Sequence, residues 1–584
     1  MIHYSPIMQK IFNIVILCVL TASSMFAQDR KWYDPEDAGY PVVHGQAFQG
    51  EHREGFYDRL PDRVKDGLSH AVWRLSRQTA GESICFTTDS KDITVRYKVR
   101  LRTAMPHMPA TGVSGVDLYT KDKHGNEVWL APKYSFKDTV TFSYSDIEPV
   151  NMRGNTRRYT LFLPLYNEVE WLEIGVGEDD KFCFERPSAL KPVVTYGTSI
   201  CQGACASRPA MSWTNILQRR LDRPFVNLGF SGSAYFESSI MDVLSEVDAA
   251  VYVIDGMPNA YAIPAPALRD TVVKAVRRLR SARPDAPVVL TDHCGYPHGS
   301  VYKYYRDAQE HALKSLEEAY QQLIAEGVTG VYRLRHEDIG MIGEMTVEAI
   351  HMSDYGMTTY ADAYEPLLRD ILCEPSGDVS TTRPVTQQRD SYNWLDRHDE
   401  ILSKGNGKHF RRIVIGDSIM HFWGGSDVAP AQHGTDSWAE LGGESLNLGC
   451  GYDRTENVLW RIYHGELDNL TADKVFIKIG TNNISWGDPD EDIVAGIKAV
   501  INAVRTRLPQ SEITVMGILP RRNREARVKT LNKAVKAMAR EQNVNFADPG
   551  KTLLGKGGKI DESMFTDGLH PDADGYRRIA DYFR

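Results

Sequence analysis

Beyond its first thirty residues this chain has no apolar run approaching the roughly 20 residues needed to span a bilayer. It also lacks basic excess: 68 Lys and Arg stand against 77 Asp and Glu, a net charge of -9. That mild acidity disfavours a nucleic-acid or anionic-membrane partner and names no substrate. Cysteine is sparse, and after Cys18 the remainder (Cys85, Cys183, Cys201, Cys205, Cys294, Cys373 and Cys450) are scattered rather than arrayed as a small disulfide framework. None has the paired spacing of a zinc site, so no metal is expected. Cys201 and Cys205 leave two options open, a disulfide or two free thiols. Also missing are His-Glu-x-x-His, a Gly-x-Gly-x-x-Gly after a strand, heptads and low-complexity arrays. Pro549-Gly550-Lys551-Thr552 looks like the end of a phosphate loop, but Asn545 stands where the opening glycine is required.

What is present is organised in blocks. Lys10, an apolar stretch from Ile11 to about Ala22 and the small-residue close Phe26-Ala27-Gln28 read as a signal peptide over 1–27, implying a secreted or periplasmic protein without a lipid anchor at Cys18. From 30 to 190 the period is two: Ile93, Val95, Tyr97, Val99 and Leu101 alternate with polar residues, and Lys123-His124-Gly125-Asn126 marks a hairpin turn. This predicts an antiparallel β-sandwich. From Lys191 apolar runs alternate with helical segments, the pattern of a parallel sheet with helices on both faces. The expected α/β domains span 191–373 and 392–584, joined by a Pro-, Ser- and Thr-rich linker over 374–391.

The two α/β domains repeat one set of motifs. Ile413-Val414-Ile415-Gly416-Asp417-Ser418 reads as a buried strand emptying into a turn that exposes a hydroxyl. Asn447-Leu448-Gly449-Cys450-Gly451, then Gly480-Thr481-Asn482, then Asp567-Gly568-Leu569-His570 follow. The earlier half carries Gly197-Thr198-Ser199, Asn227-Leu228-Gly229-Phe230-Ser231-Gly232, Met257-Pro258-Asn259 and Glu348-Ala349-Ile350-His351. Both serine-to-histidine intervals are 152 residues (351 − 199 and 570 − 418), as an internal duplication would leave. A serine needs a base to become nucleophilic, and histidine supplies one near neutral pH. An acid three residues earlier can hold the other ring nitrogen.

These four blocks resemble those of the SGNH (GDSL-type) hydrolases. Asn447 to Asp453, continued through Val458-Leu459-Trp460-Arg461, is similar to the platelet-activating-factor acetylhydrolase branch, and Gly115-Val116-Asp117-Leu118-Tyr119 resembles the signature of a β-domain preceding one SGNH subgroup. The resemblance implies two flavodoxin-like three-layer α/β/α domains behind the sandwich. It also implies catalytic sets Ser199, Glu348, His351 and Ser418, Asp567, His570, with oxyanion donors Gly232, Asn259 and Asn482. The second copy has Tyr452 at the usual glycine position, leaving Tyr452 or Gly451 as its backbone donor, and the first has glutamate as its acid. The implied activity is cofactor-free hydrolysis of short acyl, chiefly acetyl, esters on carbohydrates. The alternatives are a lipase or phospholipid acetylhydrolase, or a glycan-binding protein in which one or both copies have lost catalysis. Asp292-His293-Cys294, Tyr235 and Trp423 are candidate pocket residues or simply core.

Overall fold

The computed structural model describes residues 30–122, 125–148, 156–387 and 392–584. The expected signal peptide, Lys123 and His124 of the expected turn, and 388–391 of the expected linker lie outside the described residues. The chain folds as two compact units, the second made of Tyr364–Arg584 together with a short earlier segment that includes Lys121, Asp122 and Glu127.

In the first unit, two antiparallel sheets face each other. One orders Arg30–Tyr33, Val169–Gly177, Ile93–Val99, Val140–Tyr144 and Lys133–Phe136. The other orders Phe182–Phe184, Ser83–Thr88, Arg157–Phe162, Asp117–Lys121 and Glu127–Leu130, with Val43–His44 paired to Ser83–Thr88. Ile93, Val95 and Tyr97 point into the core between the sheets, and Lys98 points out, as the alternation requires.

Behind the sandwich lies a five-stranded parallel sheet built from β1 (Val193–Gly197), β2 (Phe225–Gly229), β3 (Val251–Asp255), β4 (Val288–Thr291) and β5 (Val331–Leu334), ordered β2-β1-β3-β4-β5. The second unit repeats it with β6 (Lys408–Gly416), β7 (Ser445–Gly449), β8 (Leu470–Lys478), β9 (Glu512–Met516) and β10 (Asn545–Ala547), ordered β7-β6-β8-β9-β10. This is the flavodoxin-like order, whose crevice opens beyond the carboxyl ends of the two central strands. The helices form because each carries an apolar stripe at three- and four-residue spacing. Ala265–Ala282, for example, buries Leu268, Val272, Val276 and Leu279 and leaves Arg277 and Arg278 outside.

Two boundaries differ from expectation. Leu60, Val64, Val72, Trp73 and Leu75 belong to the core of the first α/β domain, not to the sandwich. The helix His70–Ser76, capped by Ser69, therefore opens that domain before the sandwich strands begin in earnest. It escaped notice because seven residues show too little of a 3.6-residue period. Of the stretch 374–391, read as a linker, the described part 374–387 is anchored in the second unit. Thr381 is fully buried, donates from its hydroxyl to the Asp492 carbonyl at 2.6 Å, and accepts from the Thr455 hydroxyl at 2.8 Å.

Candidate active site

Both candidate serines sit at the first position of a short helix directly after the leading central strand. Ser199 opens Ser199–Gln202 after β1, and Ser418 opens Ser418–His421 after β6. The helix packs against the end of the neighbouring strand so closely that only glycine fits there. A Cβ on Gly229 or Gly449 would come within 2.3 Å of the Gln202 or His421 backbone nitrogen.

In the first copy Ser199 Oγ lies 2.8 Å from His351 Nε2, and His351 Nδ1 meets Glu348 Oε1, which also accepts the His351 amide at 2.9 Å. In the second, His570 Nε2 lies 2.8 Å from Ser418 Oγ and Nδ1 lies 2.7 Å from Asp567 Oδ2. Asp567 Oδ1 takes the amides of Leu569 and His570, each at 2.8 Å. Burial would raise the Asp567 pKa, but these amides and the imidazole hold the carboxyl below its ordinary value. Glutamate thus reaches the imidazole as well as aspartate does, by directing one oxygen to both partners. Each arrangement fixes the proton on Nδ1 and leaves Nε2 to accept from the serine.

The oxyanion candidates divide. Gly232 and Tyr452 occupy equivalent places and share a left-handed backbone, φ 66° and 63°. The alternative donor Gly451 is excluded, because its amide donates to His421 Nδ1 at 3.2 Å. Asn482 Nδ2 donates to the Asp453 carbonyl at 2.9 Å and retains a second N–H. Asn259 instead accepts the Ala234 amide on Oδ1 at 3.3 Å, which leaves its NH2 as the donor group.

Residues that motif reading missed hold these loops. Gln202 Oε1 accepts the Ser231 amide at 3.0 Å, the counterpart of the bond from Gly451 to His421. Burial drives the His421 pKa down to about 3, so its ring is neutral and Nδ1 is free to accept. Arg59 donates to the carbonyls of Asn227 and Gly229 at 2.8 and 3.0 Å, and Arg397 donates to those of Asn447 and Gly449 at 2.6 and 3.0 Å. The signal that would have found them is an Asp-Arg pair ahead of each copy, Asp58-Arg59 and Asp396-Arg397. The copies also differ beneath the serine. Asp417 caps the second helix and is paired with Lys478, both side chains fully buried. Thr198 and Asp255 occupy the matching places in the first copy.

Other candidates are structural. His293 is fully buried with Nδ1 accepting from the Gly295 amide, and Asp292 pairs with Arg333. Trp423 is fully buried, donates to Ser437 and stacks on Tyr576. Tyr235 is exposed. Cys201 and Cys205 are free thiols.

Two GDSL-like lipase/acylhydrolase family models match the chain, one over 190–369 and one over 414–578. A third, the N-terminus of an SGNH-hydrolase-type esterase, covers 30–182. The chain belongs to the GDSL (SGNH) hydrolase family. Among relatives of this family, the platelet-activating factor acetylhydrolase IB subunit alpha1 of Bos taurus is 31% identical over 216 residues, 35% of this chain and 88% of the relative. The alpha2 subunit of Homo sapiens is 29% identical over 195 residues, 32% of this chain and 80% of the relative. A crystal structure from Bacteroides ovatus ATCC 8483, named as a GDSL-like lipase, superposes with a TM-score of 0.54 at 25% identity, covering 59% of this chain and 98% of its own. Membership in the GDSL family makes this an esterase-type hydrolase, and none of the helices among the described residues is long and apolar enough to cross a membrane.

Proposed function

We propose that both copies are working serine esterases that remove acetyl or other short acyl groups from hydroxyl-bearing acceptors, polysaccharides foremost, outside the cytoplasm. The observation that carries this reading is the 2.8 Å contact between serine and histidine in each copy, with an acid behind each ring. Ser199 or Ser418 attacks the ester carbonyl while His351 or His570 takes the hydroxyl proton on Nε2. The oxyanion is held by Asn259 and the Gly232 amide in one copy, and by Asn482 and the Tyr452 amide in the other, each donor typically worth about 3 kcal/mol. The imidazolium returns the proton to the departing alcohol. The neutral imidazole left behind then deprotonates the water that releases the acid from the acyl-enzyme.

Acetyl as the acyl group is supported by relatives named as acetylhydrolases. A sugar acceptor is supported by exposed rings beside the first site. Tyr261 shares the 3-10 turn Met257–Ala262 with Asn259, packs edge-on to Tyr304 at 6.2 Å, and both are exposed. Aromatic faces of this kind suit the apolar face of a sugar ring. A second reading, a phospholipid acetyl ester, is favoured by the 31% identity to the bovine acetylhydrolase subunit. Ser199→Ala, Ser418→Ala and the double variant, assayed on an aryl acetate, acetylated xylan and an acetyl phospholipid, test the proposal. Each single variant should lose part of the xylan activity and the double variant all of it. Activity confined to the phospholipid would replace the acceptor, and activity surviving in the double variant would refute the sites.

A further inference from the structure

The first site carries a feature that its twin lacks. His107, on the loop between the Ile93–Val99 strand and the short helix Ala110–Val113, lies over the His351 ring, with centroids 5.7 Å apart and planes 28° from parallel. Cys205, six residues after Ser199, is buried in a left-handed backbone conformation with φ 69°, and its thiol donates to the His107 carbonyl at 3.3 Å. The ligating atoms of His107, Cys205 and His351 all lie within 4.8 Å of one another. We propose that these three side chains form a zinc site that, when filled, shuts off the first active site.

The chemistry of the set favours zinc. One thiolate and two imidazoles are borderline-soft donors matched to that ion. Tetrahedral zinc, with bonds of about 2.0–2.3 Å, places its ligand atoms roughly 3.5 Å apart, so closure requires movements of about 1 Å. His107 is exposed and its side chain is the one that can swing. His351 keeps Nδ1 on Glu348, the carboxylate–histidine arrangement that orients a metal ligand. Its remaining donor is Nε2, whose lone pair otherwise receives the Ser199 proton. Zinc and the serine therefore compete for one lone pair. Binding releases the Cys205 thiol proton to solvent, so thiolate and metal form the new bond without any redox partner.

The second copy supplies an internal control. At the same six-residue interval from its serine stands Gly424, and the ring against His570, 5.0 Å away, is Phe422. Among the described residues no thiol joins His570 in a comparable group.

The inhibitory part rests on the esterase reading, whereas the binding part does not, and the experiment separates them. Zinc is titrated into the full chain against a chromogenic chelator, in wild type, Cys205→Ser and His107→Ala. One zinc should bind wild type, and each variant should weaken it by at least about 10-fold. Affinity unchanged in both variants, or no binding by wild type, overturns the site. His107→Ala keeps the test informative should the buried cysteine variant fold poorly. Aryl acetate hydrolysis is then measured with and without zinc. In the Ser418→Ala chain, zinc should inhibit, a chelator should restore activity, and adding Cys205→Ser should abolish the zinc effect while hydrolysis persists. In the Ser199→Ala chain, zinc should have no effect. Binding through Cys205 and His107 in a chain without Ser199-dependent hydrolysis would uphold the site and refute esterase activity in the first copy.

Discussion

Replacing Asp255 with asparagine should alter how the stability of the first α/β domain depends on pH. Asp255 ends β3 in register with Gly197, is fully buried, and accepts the Tyr360 hydroxyl on Oδ2 at 2.9 Å. Its Oδ1 is buried and meets no partner among the described residues. Burial pushes its pKa from 3.8 up to about 8. The unfolded chain releases this proton near pH 4, while the folded chain keeps it to about pH 8. Between those values the folded state binds more protons, so stability present below pH 4 is lost as pH rises and levels off above pH 8. The slope is about 1.4 kcal/mol per pH unit, or roughly 3 kcal/mol between pH 5 and pH 7.5. Asparagine cannot ionise, and its carbonyl still accepts from Tyr360. The variant should match wild type near pH 4 and exceed it by a margin that widens toward pH 8. Hydrogen exchange in urea, followed on peptides covering 193–197 and 251–255, reads this sheet whichever unit unfolds first. A difference between variant and wild type that is the same at pH 5 and pH 7.5 would refute a protonated Asp255.

In a Ser418→Ala chain, Glu348→Gln should lower kcat on an aryl acetate by about 10³- to 10⁴-fold with little change in KM, because the amide cannot enforce the Nδ1 proton. Lys478→Met leaves Asp417 as an uncompensated buried charge and should destabilise the second domain by about 3–5 kcal/mol in denaturant unfolding. Adding Asp417→Thr, which copies Thr198, should recover most of that loss. Tyr452→Gly should relieve about 1–2 kcal/mol of left-handed backbone strain and keep Ser418-dependent activity, since the donor is a backbone amide. Tyr261→Ala should raise KM on acetylated xylan and leave hydrolysis of an aryl acetate unaffected.

Fold and site differ in how much of each is legible in the sequence. The equal 152-residue intervals and the apolar runs ending in glycine identified both sheets, because a parallel strand buried on both faces is apolar throughout. The long helices show in the sequence as helical segments between the strands, their stripes being long enough to carry a period. Arg59, Arg397, Gln202 and His421 escaped notice because they act on backbone groups that carry no motif of their own. His107 and Cys205 lie 98 residues apart and meet only once the sandwich has folded beside the first sheet, so no spacing rule connects them. Gly451 was a reasonable donor on identity alone; only its bond to His421 removes it.

The most direct measurement is labelling of the intact chain with a fluorophosphonate probe, followed by peptide mapping, in wild type, His351→Ala and His570→Ala. Modification of both Ser199 and Ser418 in wild type is expected, with His351→Ala abolishing labelling at Ser199 only and His570→Ala at Ser418 only. Labelling of neither serine, or labelling indifferent to the histidines, would contradict two serine–histidine esterase sites.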